Sequence, residues 1–579
     1  MNRPKKVLVS VAVVLVVAVI TAAVAGLSFR AALGPAVEAT PPRAVHAPHG
    51  VVATSQPLAS QAGLAVLQRG GNAVDAAVTA AAVLSVVEPF MTGVGGDMFA
   101  MLWSARERRL VGLNGSGRSG SLMTREAMSS VGRIPGDGPR TITVPGALSG
   151  WAALLGQYGT ITLAEALAPA IALANEGFPI SDVTASEWAV FAGLLKSDPG
   201  ARATFLMDGE RAPAVGEWFV NPDYARTLRA IADDGPAVLY GGALGQRIAT
   251  HVQGLGGYLT ADDFTRHTAE WVEPISVPFM AYRLWELPPN GQGIAALETL
   301  RILESFDLAR MKHNSAAYLH HLIEAKKLAF ADLEHFVGDP AFMQVTPGQL
   351  LTDEFVAGRR SLIDPRRASE RADPDGSLTT SETTYLAVAD EEGNMISFIN
   401  SLGGGFGSGV VVPGTGFALQ NRGVGFSYQE GRANSVGPGR LPFHTIIPGF
   451  VTRTSADGTQ EPWLSYGIVG GPQQPQAHVQ VLLNMILFGM DAQQALDAPR
   501  FRHWSENRVS FESAIPQSVI DELRSMGHAP QNPLIQTVQT LLLGSNPGLV
   551  FGGGQAIMRN PRGYVAGSDS RRDGLAAAH

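Results

Sequence analysis

The sequence has no cysteine among its 579 residues. Disulfides, thiolate nucleophiles and cysteine-ligated zinc or iron–sulfur sites are therefore excluded. The 13 histidines show no spacing typical of metal ligands, and we expect neither a metal site nor a cofactor. The adjacent His320 and His321 lie in an amphipathic helical pattern, where neighbours face different ways, and are interpreted as surface and packing residues.

A large positive charge is also absent. The formal net charge is -8, and no long basic run occurs beyond the N-terminus. This argues against nucleic acid as a partner. The motifs HExxH and GxSxG are missing, which argues against a zinc protease or an α/β-hydrolase. With 45% hydrophobic and 16% charged residues, the chain has the composition of a globular protein.

The N-terminus carries a hydrophobic segment. Three basic residues within the first six precede an uncharged run from Val7 to Leu27, which is long enough to cross a bilayer. Ala23-Val24-Ala25 also resembles a cleavage site, so residues 1–27 are predicted to be a signal peptide or a transmembrane anchor. Residues 28–45 form a Pro- and Ala-rich tether. We expect an exported protein, either anchored in the membrane by this helix or secreted or periplasmic.

Local patterns predict an α+β fold. A strand near Val51 precedes two helices, the first closed by Gly70-Gly71. Helical spacing recurs in IAALETLRIL and AAYLHHLIEAKKLAFADLEHF. From Thr383 the pattern alternates as in a strand, turns at EEGN and continues as a second strand, MISFINSL. Helices are predicted to dominate the first two thirds of the chain, and strands the part after Thr383.

The strand at Thr383 begins with two threonines after a polar segment, 363–381, that has the composition of an exposed linker. A threonine hydroxyl is a poor nucleophile without an adjacent base. A cut between Glu382 and Thr383 would supply one, because the new α-amine titrates near neutral pH. Alternatively, the pair is an ordinary strand start, where β-branched residues are common.

Several long motifs extend across the chain in a fixed order. Before Thr383 they are SQPLASQAGLAVLQRGGNAVDAAV, VEPFMTGVGGDMF, TVPGALSGW, LPPNGQG and EAKKLAFAD. From Thr383 on they are TTYLAVADEEGN, FGSGVVVPGTGFALQNRG, GPGRLPFHTIIP, GIVGGPQQPQ and GSDSRRDG. Together they resemble the γ-glutamyltransferase family of autoprocessing N-terminal-nucleophile hydrolases.

The resemblance implies a four-layer αββα sandwich and self-cleavage before Thr383. The products would be a large subunit, 46–382, and a small subunit, 383–579, which remain partners. Thr383 would attack a small-molecule γ-glutamyl or related acyl amide, and water or an amine would resolve the acyl-enzyme. By the same match, Ser401 hydrogen-bonds the nucleophile, and the Gly470-Gly471 pair forms the oxyanion hole.

The chain departs from this family at the positions that recognise the glutamyl group of the substrate. Gly425 stands at the position of the acid that binds the α-ammonium, and His444 and Thr445 replace paired serines that hold the α-carboxylate. Gly403 replaces a common asparagine, and Ser116 the carboxylate-binding arginine.

Two arginines are candidates for a substrate carboxylate. Arg118 and Arg422 can each bind a carboxylate in a bidentate manner, although each is equally compatible with a structural position. His444 and Thr445 are further candidates for substrate contact. The departures make the chain resemble the acylase and amidohydrolase branch of the family, whose substrates can carry a glutaryl-type or other acid group without an α-amine.

Three alternatives remain at this point. The stretch from Gly115 to Gly120 matches GxGxxG, with Asp137 at the spacing of a ribose-binding acid, as in dinucleotide enzymes. A catalytically inactive membrane-tethered member of the family is a second alternative. Transfer of the acyl group onto a cell-surface polymer is the third.

Overall fold

The computed structural model describes residues 43–129, 131–370, 382–531 and 548–579. The predicted signal or anchor segment, 1–27, lies outside these ranges. Within them, no helix combines the length and apolar character needed to span a bilayer.

Nineteen helices and nineteen strands, besides five short 3₁₀ turns, make up the described part of the chain. The helices are α1 (Pro57–Gln68), α2 (Ala73–Val87), α3 (Arg125–Met128), α4 (Ala147–Tyr158), α5 (Leu163–Glu176), α6 (Asp182–Val190), α7 (Ala192–Lys196), α8 (Pro199–Phe205), α9 (Pro222–Asp234), α10 (Ala243–Gly254), α11 (Ala261–Thr265), α12 (Gly293–Leu303), α13 (Ala316–Phe336), α14 (Pro347–Leu350), α15 (Asp353–Arg360), α16 (Gln473–Phe488), α17 (Ala492–Asp497), α18 (Gln517–Ser525) and α19 (Gly548–Phe551). The strands are β1 (Val45–Ala47), β2 (Val51–Thr54), β3 (Asp97–Ser104), β4 (Arg109–Gly115), β5 (Phe178–Pro179), β6 (Trp218–Phe219), β7 (Glu270–Val272), β8 (Ile275–Phe279), β9 (Tyr282–Glu286), β10 (Glu382–Ala389), β11 (Met395–Gly403), β12 (Gly449–Thr454), β13 (Gln460–Ile468), β14 (Phe501–His503), β15 (Arg508–Phe511), β16 (Ala529–Pro530), β17 (Gly554–Asn560), β18 (Gly563–Ser568) and β19 (Leu575–Ala578).

Two seven-stranded antiparallel sheets form the centre of the fold. Sheet 1 has the order β19-β2-β10-β11-β3-β4-β7, and sheet 2 the order β1-β18-β17-β13-β12-β9-β8. Buried side chains of both sheets, among them Phe99 and Tyr385 from sheet 1 and Phe450 and Ile557 from sheet 2, meet in one core. The outer face of sheet 1 packs against helices that include α2 and α5, and that of sheet 2 against α12, α13 and α16. The predicted αββα layering is confirmed.

The alternation in β10 decides what each face of this strand contacts. Tyr385 and Ala387 point into the core between the sheets, whereas Leu386 and Val388 join the core under the helices. Thr383 has the parity of the first pair and Thr384 that of the second. The two threonines therefore face different layers of the molecule.

The predicted hairpin is confirmed, because β10 pairs with β11 from Ala389 opposite Met395 onward. The two helices after Val51 and both later helical segments are confirmed as α1, α2, α12 and α13. The prediction that strands gather after Thr383 was wrong in part, since β3, β4, β8 and β9 supply neighbours in both sheets. Every residue of β3 is buried, so this strand shows no alternation in the sequence.

Two further predictions need correction. His320 and His321 are both buried, because α13 is enclosed on both sides. The Gly115–Gly120 stretch follows β4, whose neighbours β3 and β7 are both antiparallel. The next described helix, α3, has four residues, so the parallel βαβ unit of a dinucleotide site is not formed there.

Candidate active site

The two hydroxyls predicted to act together do lie together. Thr383, at the start of β10, places Oγ1 3.3 Å from Ser401 Oγ on β11. Ser401 Oγ accepts a hydrogen bond from the N–H of Gly403 at 2.9 Å. A bulge between Glu382 and Thr384 shifts the register at this point. Both side chains are buried, so a reacting group here is shielded from bulk water.

The glycine pair lies in the connection between strand β13 and helix α16. Gly470 and Gly471 have φ values of +117° and +60°, a region that glycine adopts without strain. They immediately precede α16, whose N-terminal backbone dipoles favour negative charge. Gln292 donates from Nε2 to Gly471 O at 2.9 Å and to Thr445 O at 2.5 Å. The pair is thereby tied to the segment that carries His444 and Thr445.

Arg422 is a buried cation close to the hydroxyl pair. Its Nη1 donates to Thr445 Oγ1 at 2.8 Å, whereas Nε and Nη2 find no acceptor among the described residues. A Cβ placed on Gly403 would stand 3.7 Å from Arg422 Nε, and the N–H of the same Gly403 binds Ser401. The guanidinium thus lies beside Gly403, whose N–H binds Ser401, and two of its nitrogens have no acceptor among the described residues.

His444 belongs to the wall of this site rather than to its opening. Its Nε2 lies 3.1 Å from Asp97 Oδ2, and its Nδ1 accepts from the N–H of Ile446 at 3.3 Å. Burial and the charge of Arg422 hold the pKa of His444 well below its usual range. The imidazole is therefore neutral, with its proton on Nε2 and donated to Asp97.

Arg118 lies elsewhere, at the surface. Its guanidinium bonds to Glu270 at 3.1 Å and lies 3.6 Å from Asp339. It lines a surface cavity of about 460 Å³ together with Ser116 and His267. Of the two candidate arginines, the structure brings Arg422 alone to the hydroxyl pair.

Two buried acids near the site were missed in the sequence. Asp97 pairs directly with Ser401 across β3 and β11. Glu88 accepts hydrogen bonds from Thr384 Oγ1 and Ser55 Oγ, each at 2.6 Å. Burial raises the pKa of each carboxyl to about 7. Both acids stand in the apolar stretch VEPFMTGVGGDMF, and an acid in such a run is a signal that could have identified them.

One cluster has the composition of a metal site. The ligand atoms of His320, Glu324 and His528 lie within 4.8 Å of one another, and all three residues are buried. However, the ammonium of Lys327 bonds to Glu324 Oε1 at 2.7 Å and to Asn507 at 2.5 Å. A cation is already built into this cluster, so its residues do not fit a metal ion.

The glycine at position 425 leaves no room for a side chain. A Cβ there would stand 2.2 Å from the carbonyl oxygen of Phe443, closer than side chains are found to approach backbone. An acid at this position therefore requires a different course of the segment that carries His444. Gly403 is constrained too, since a Cβ would lie 2.2 Å from Asn421 Oδ1 and its φ is +99°.

Gly425→Asp is therefore expected to destabilise the protein by about 1 to 3 kcal/mol through overpacking, without creating an ammonium site. Thermal unfolding and assays with a γ-glutamyl anilide measure the two effects. Gly358→Asp is the matched control, because its Cβ meets nothing within 4 Å and surface changes are close to neutral. A stable Gly425→Asp protein with increased γ-glutamyl activity would contradict this account.

The chain is similar to known proteins over most of its length. The family model described as gamma-glutamyltranspeptidase matches residues 59–579. The glutathione hydrolase-like YwrD proenzyme of Bacillus subtilis (strain 168) is 38% identical over 526 residues, covering 90% of this chain and 96% of the relative. The oxamate amidohydrolase proenzyme of Klebsiella pneumoniae is 35% identical, covering 92% and 98%. The structure of cephalosporin acylase from Bacillus halodurans superposes with a TM-score of 0.85 at 42% identity, covering 94% and 99%. The chain therefore belongs to the gamma-glutamyltranspeptidase family of enzymes.

Proposed function

We propose that this enzyme cuts its own chain between Glu382 and Thr383 and then uses Thr383 as the nucleophile of an amide hydrolase. The observation that carries the proposal is the contact of Thr383 Oγ1 with Ser401 Oγ at the start of a buried strand. Several relatives bear the name proenzyme, which agrees with maturation by cleavage. The polar segment 363–381 leads up to the bond between Glu382 and Thr383 at which the cut is proposed.

The mechanism has two covalent steps. The α-amine released at Thr383 accepts the hydroxyl proton, and Oγ1 attacks the amide carbonyl. The backbone N–H groups of Gly470 and Gly471 stabilise the oxyanion, helped by the N-terminus of α16. The amine product leaves, and water or an amine acceptor then releases the acyl group. Ser401 orients Oγ1 through its own hydroxyl.

The acyl group is proposed to end in a carboxylate and to lack an α-amine. Arg422 presents two unsatisfied nitrogens to such a carboxylate. No carboxylate stands at Gly425 to receive an ammonium, and an ammonium there would also be repelled by Arg422. The names of two relatives, oxamate amidohydrolase and cephalosporin acylase, are compatible with an acid-bearing amide. Glutaryl-type amides are therefore preferred to γ-glutamyl amides.

The N-terminal sequence supports export, and we propose that the enzyme acts as a secreted or periplasmic protein. Retention of the hydroxyl pair and of the Gly470-Gly471 pair in the sequence argues against an inactive scaffold.

Glutaryl p-nitroanilide and γ-glutamyl p-nitroanilide test this substrate class, since they differ only in the α-amino group. We expect kcat/KM to be roughly 10- to 150-fold higher for the glutaryl compound, because a buried ammonium without an acid partner loses a charge-assisted bond. Release of nitroaniline by the purified protein measures both values. Equal values, or a preference for the γ-glutamyl compound, would overturn the proposed class.

A further inference from the structure

Glu88 is a buried acid to which the proposed mechanism gives no role. It is the C-terminal cap of helix α2, and its backbone N–H donates to Leu84 O at 2.8 Å. Its Oε2 accepts hydrogen bonds from Thr384 Oγ1 and Ser55 Oγ, each at 2.6 Å, a length typical of a hydroxyl bonded to a carboxylate. Because α2 fixes the backbone of Glu88, its carboxyl is a fixed point to which the start of β10 is attached.

The sheet itself restrains the start of β10 only in part. Pairing of β10 with β2 begins at Leu386, three residues after Thr383. On the other side, β11 pairs with Glu382 and with Thr384, and the bulge between these two means that the register skips Thr383. Thr384 is therefore held both by the ladder with β11 and by its side-chain bond to Glu88.

The proposed cut makes this attachment more important. Before the cut, Thr383 is held through the chain on both sides, because Glu382 is paired with β11. After the cut, Glu382 belongs to the other polypeptide and Thr383 is a chain end, and chain ends are poorly ordered unless they are tied down. The contact of Thr383 Oγ1 with Ser401 Oγ, at 3.3 Å, is long for a bond between hydroxyls. The short bond of Thr384 to Glu88 lies one residue from the new end.

We propose that Glu88 is a positioning residue for the nucleophile, holding Thr384 and thereby keeping Thr383 in place in the cut enzyme. This inference rests on the proposed function, because it requires Thr383 to be both the new N-terminus and the nucleophile. Thr384 faces the helix layer and Thr383 the core between the sheets, so Glu88 acts through Thr384. Loss of the bond should lower kcat with little change in KM. The cut itself should proceed, because Glu382 still restrains the uncut chain.

Two variants that each remove one donor from Glu88 Oε2 test this. Thr384→Val keeps the β-branched shape without the hydroxyl, and Ser55→Ala removes the other hydroxyl. Each leaves Glu88 with one donor, so both should lower thermal stability by a similar amount. We expect Thr384→Val to lower kcat about 10- to 100-fold, because small displacements of a reacting group are costly, and Ser55→Ala to leave kcat close to the wild-type value. The p-nitroanilide that the wild type hydrolyses faster gives kcat and KM, and intact mass gives the extent of cutting.

Two further variants show whether the bond itself is responsible. Thr384→Ser keeps a hydroxyl and should have kcat close to the wild-type value. Glu88→Gln keeps an oxygen that can accept from Thr384 but loses the charge, so kcat should fall less than in Thr384→Val. The double variant should be no slower than Thr384→Val alone, because both changes act on one bond. Should Thr384→Val fail to fold, the comparison of Glu88→Gln with Ser55→Ala decides, with a lower kcat expected in the first alone.

The outcomes separate this inference from the proposed function. An equal fall in kcat in Thr384→Val and Ser55→Ala, a normal kcat in both, or a Thr384→Val chain that stays uncut would overturn the role of Glu88 alone. A wild-type chain that is not cut before Thr383, or full amidase activity in Thr383→Ala, would overturn the proposed function and this inference with it.

Discussion

Thr383→Ala is expected to yield a single uncut chain with amidase activity reduced by at least about 10³-fold, since it removes the nucleophile of both reactions. The wild-type protein is expected to give two fragments, the smaller comprising residues 383–579 and beginning Thr-Thr-Tyr. Intact-mass spectrometry and N-terminal sequencing measure the cut, and nitroaniline release measures the activity.

A matched pair of conservative variants controls for effects of folding. Thr383→Ser keeps a hydroxyl at the site and should retain partial processing. Thr384→Ser makes the same chemical change one residue later, on the face that contacts Glu88, and should leave processing normal. A normal cut in Thr383→Ala, or an equal loss in both serine variants, would disprove the assignment of Thr383.

Arg422→Gln is expected to raise KM for glutaryl p-nitroanilide by roughly 10- to 150-fold, corresponding to the loss of about 1.5 to 3 kcal/mol of charge-assisted hydrogen bonding. The reason is that Arg422 is proposed to hold the substrate acid, with nitrogens that no described residue satisfies. The corresponding neutral glutaramoyl anilide, with an amide in place of the acid, should show little change in KM. Steady-state kinetics with both compounds measures this contrast.

Arg118→Gln serves as the control for this experiment. Arg118 is half-exposed and already paired with Glu270, so its loss should change KM by less than about twofold. Thermal unfolding of both variants checks that neither substitution destabilises the fold. A large effect of Arg118→Gln combined with none of Arg422→Gln would reverse the two assignments.

The sequence was sufficient for those parts of the site that depend on local pattern. The alternation after Thr383 and the turn at EEGN predict a hairpin, and a hairpin brings its two outer ends together. This is why Thr383 and Ser401 meet in the structure. The role of the glycines before α16 comes from the family resemblance, and the helical pattern that follows them in the sequence agrees with it.

Burial of charged groups could not be predicted in the same way. The sequence alone does not show which of Arg118 and Arg422 lies in the site. In the structure they are distinguished by the packing of Thr445 and Gly403 against Arg422. Asp97 meets Ser401 through the pairing of β3 with β11, which are separated by almost 300 residues of chain. Strand β3 lacks alternation because it is buried on both faces, so the sequence showed neither the strand nor its partner.

The order of strands in the two sheets has a consequence for the life of the enzyme after maturation. In sheet 1, β10 and β11 lie between β2 and β3, and β19 lies on the other side of β2. A cut before Thr383 therefore leaves two polypeptides whose strands alternate within one sheet. They are unable to part without breaking backbone hydrogen bonds on both sides of β2. Once unfolded, the two pieces would have to find each other again, so renaturation becomes bimolecular and slows on dilution. The proposed cut would thus make refolding depend on protein concentration, so that in dilute solution the lifetime of the cut enzyme would be set by its rate of unfolding.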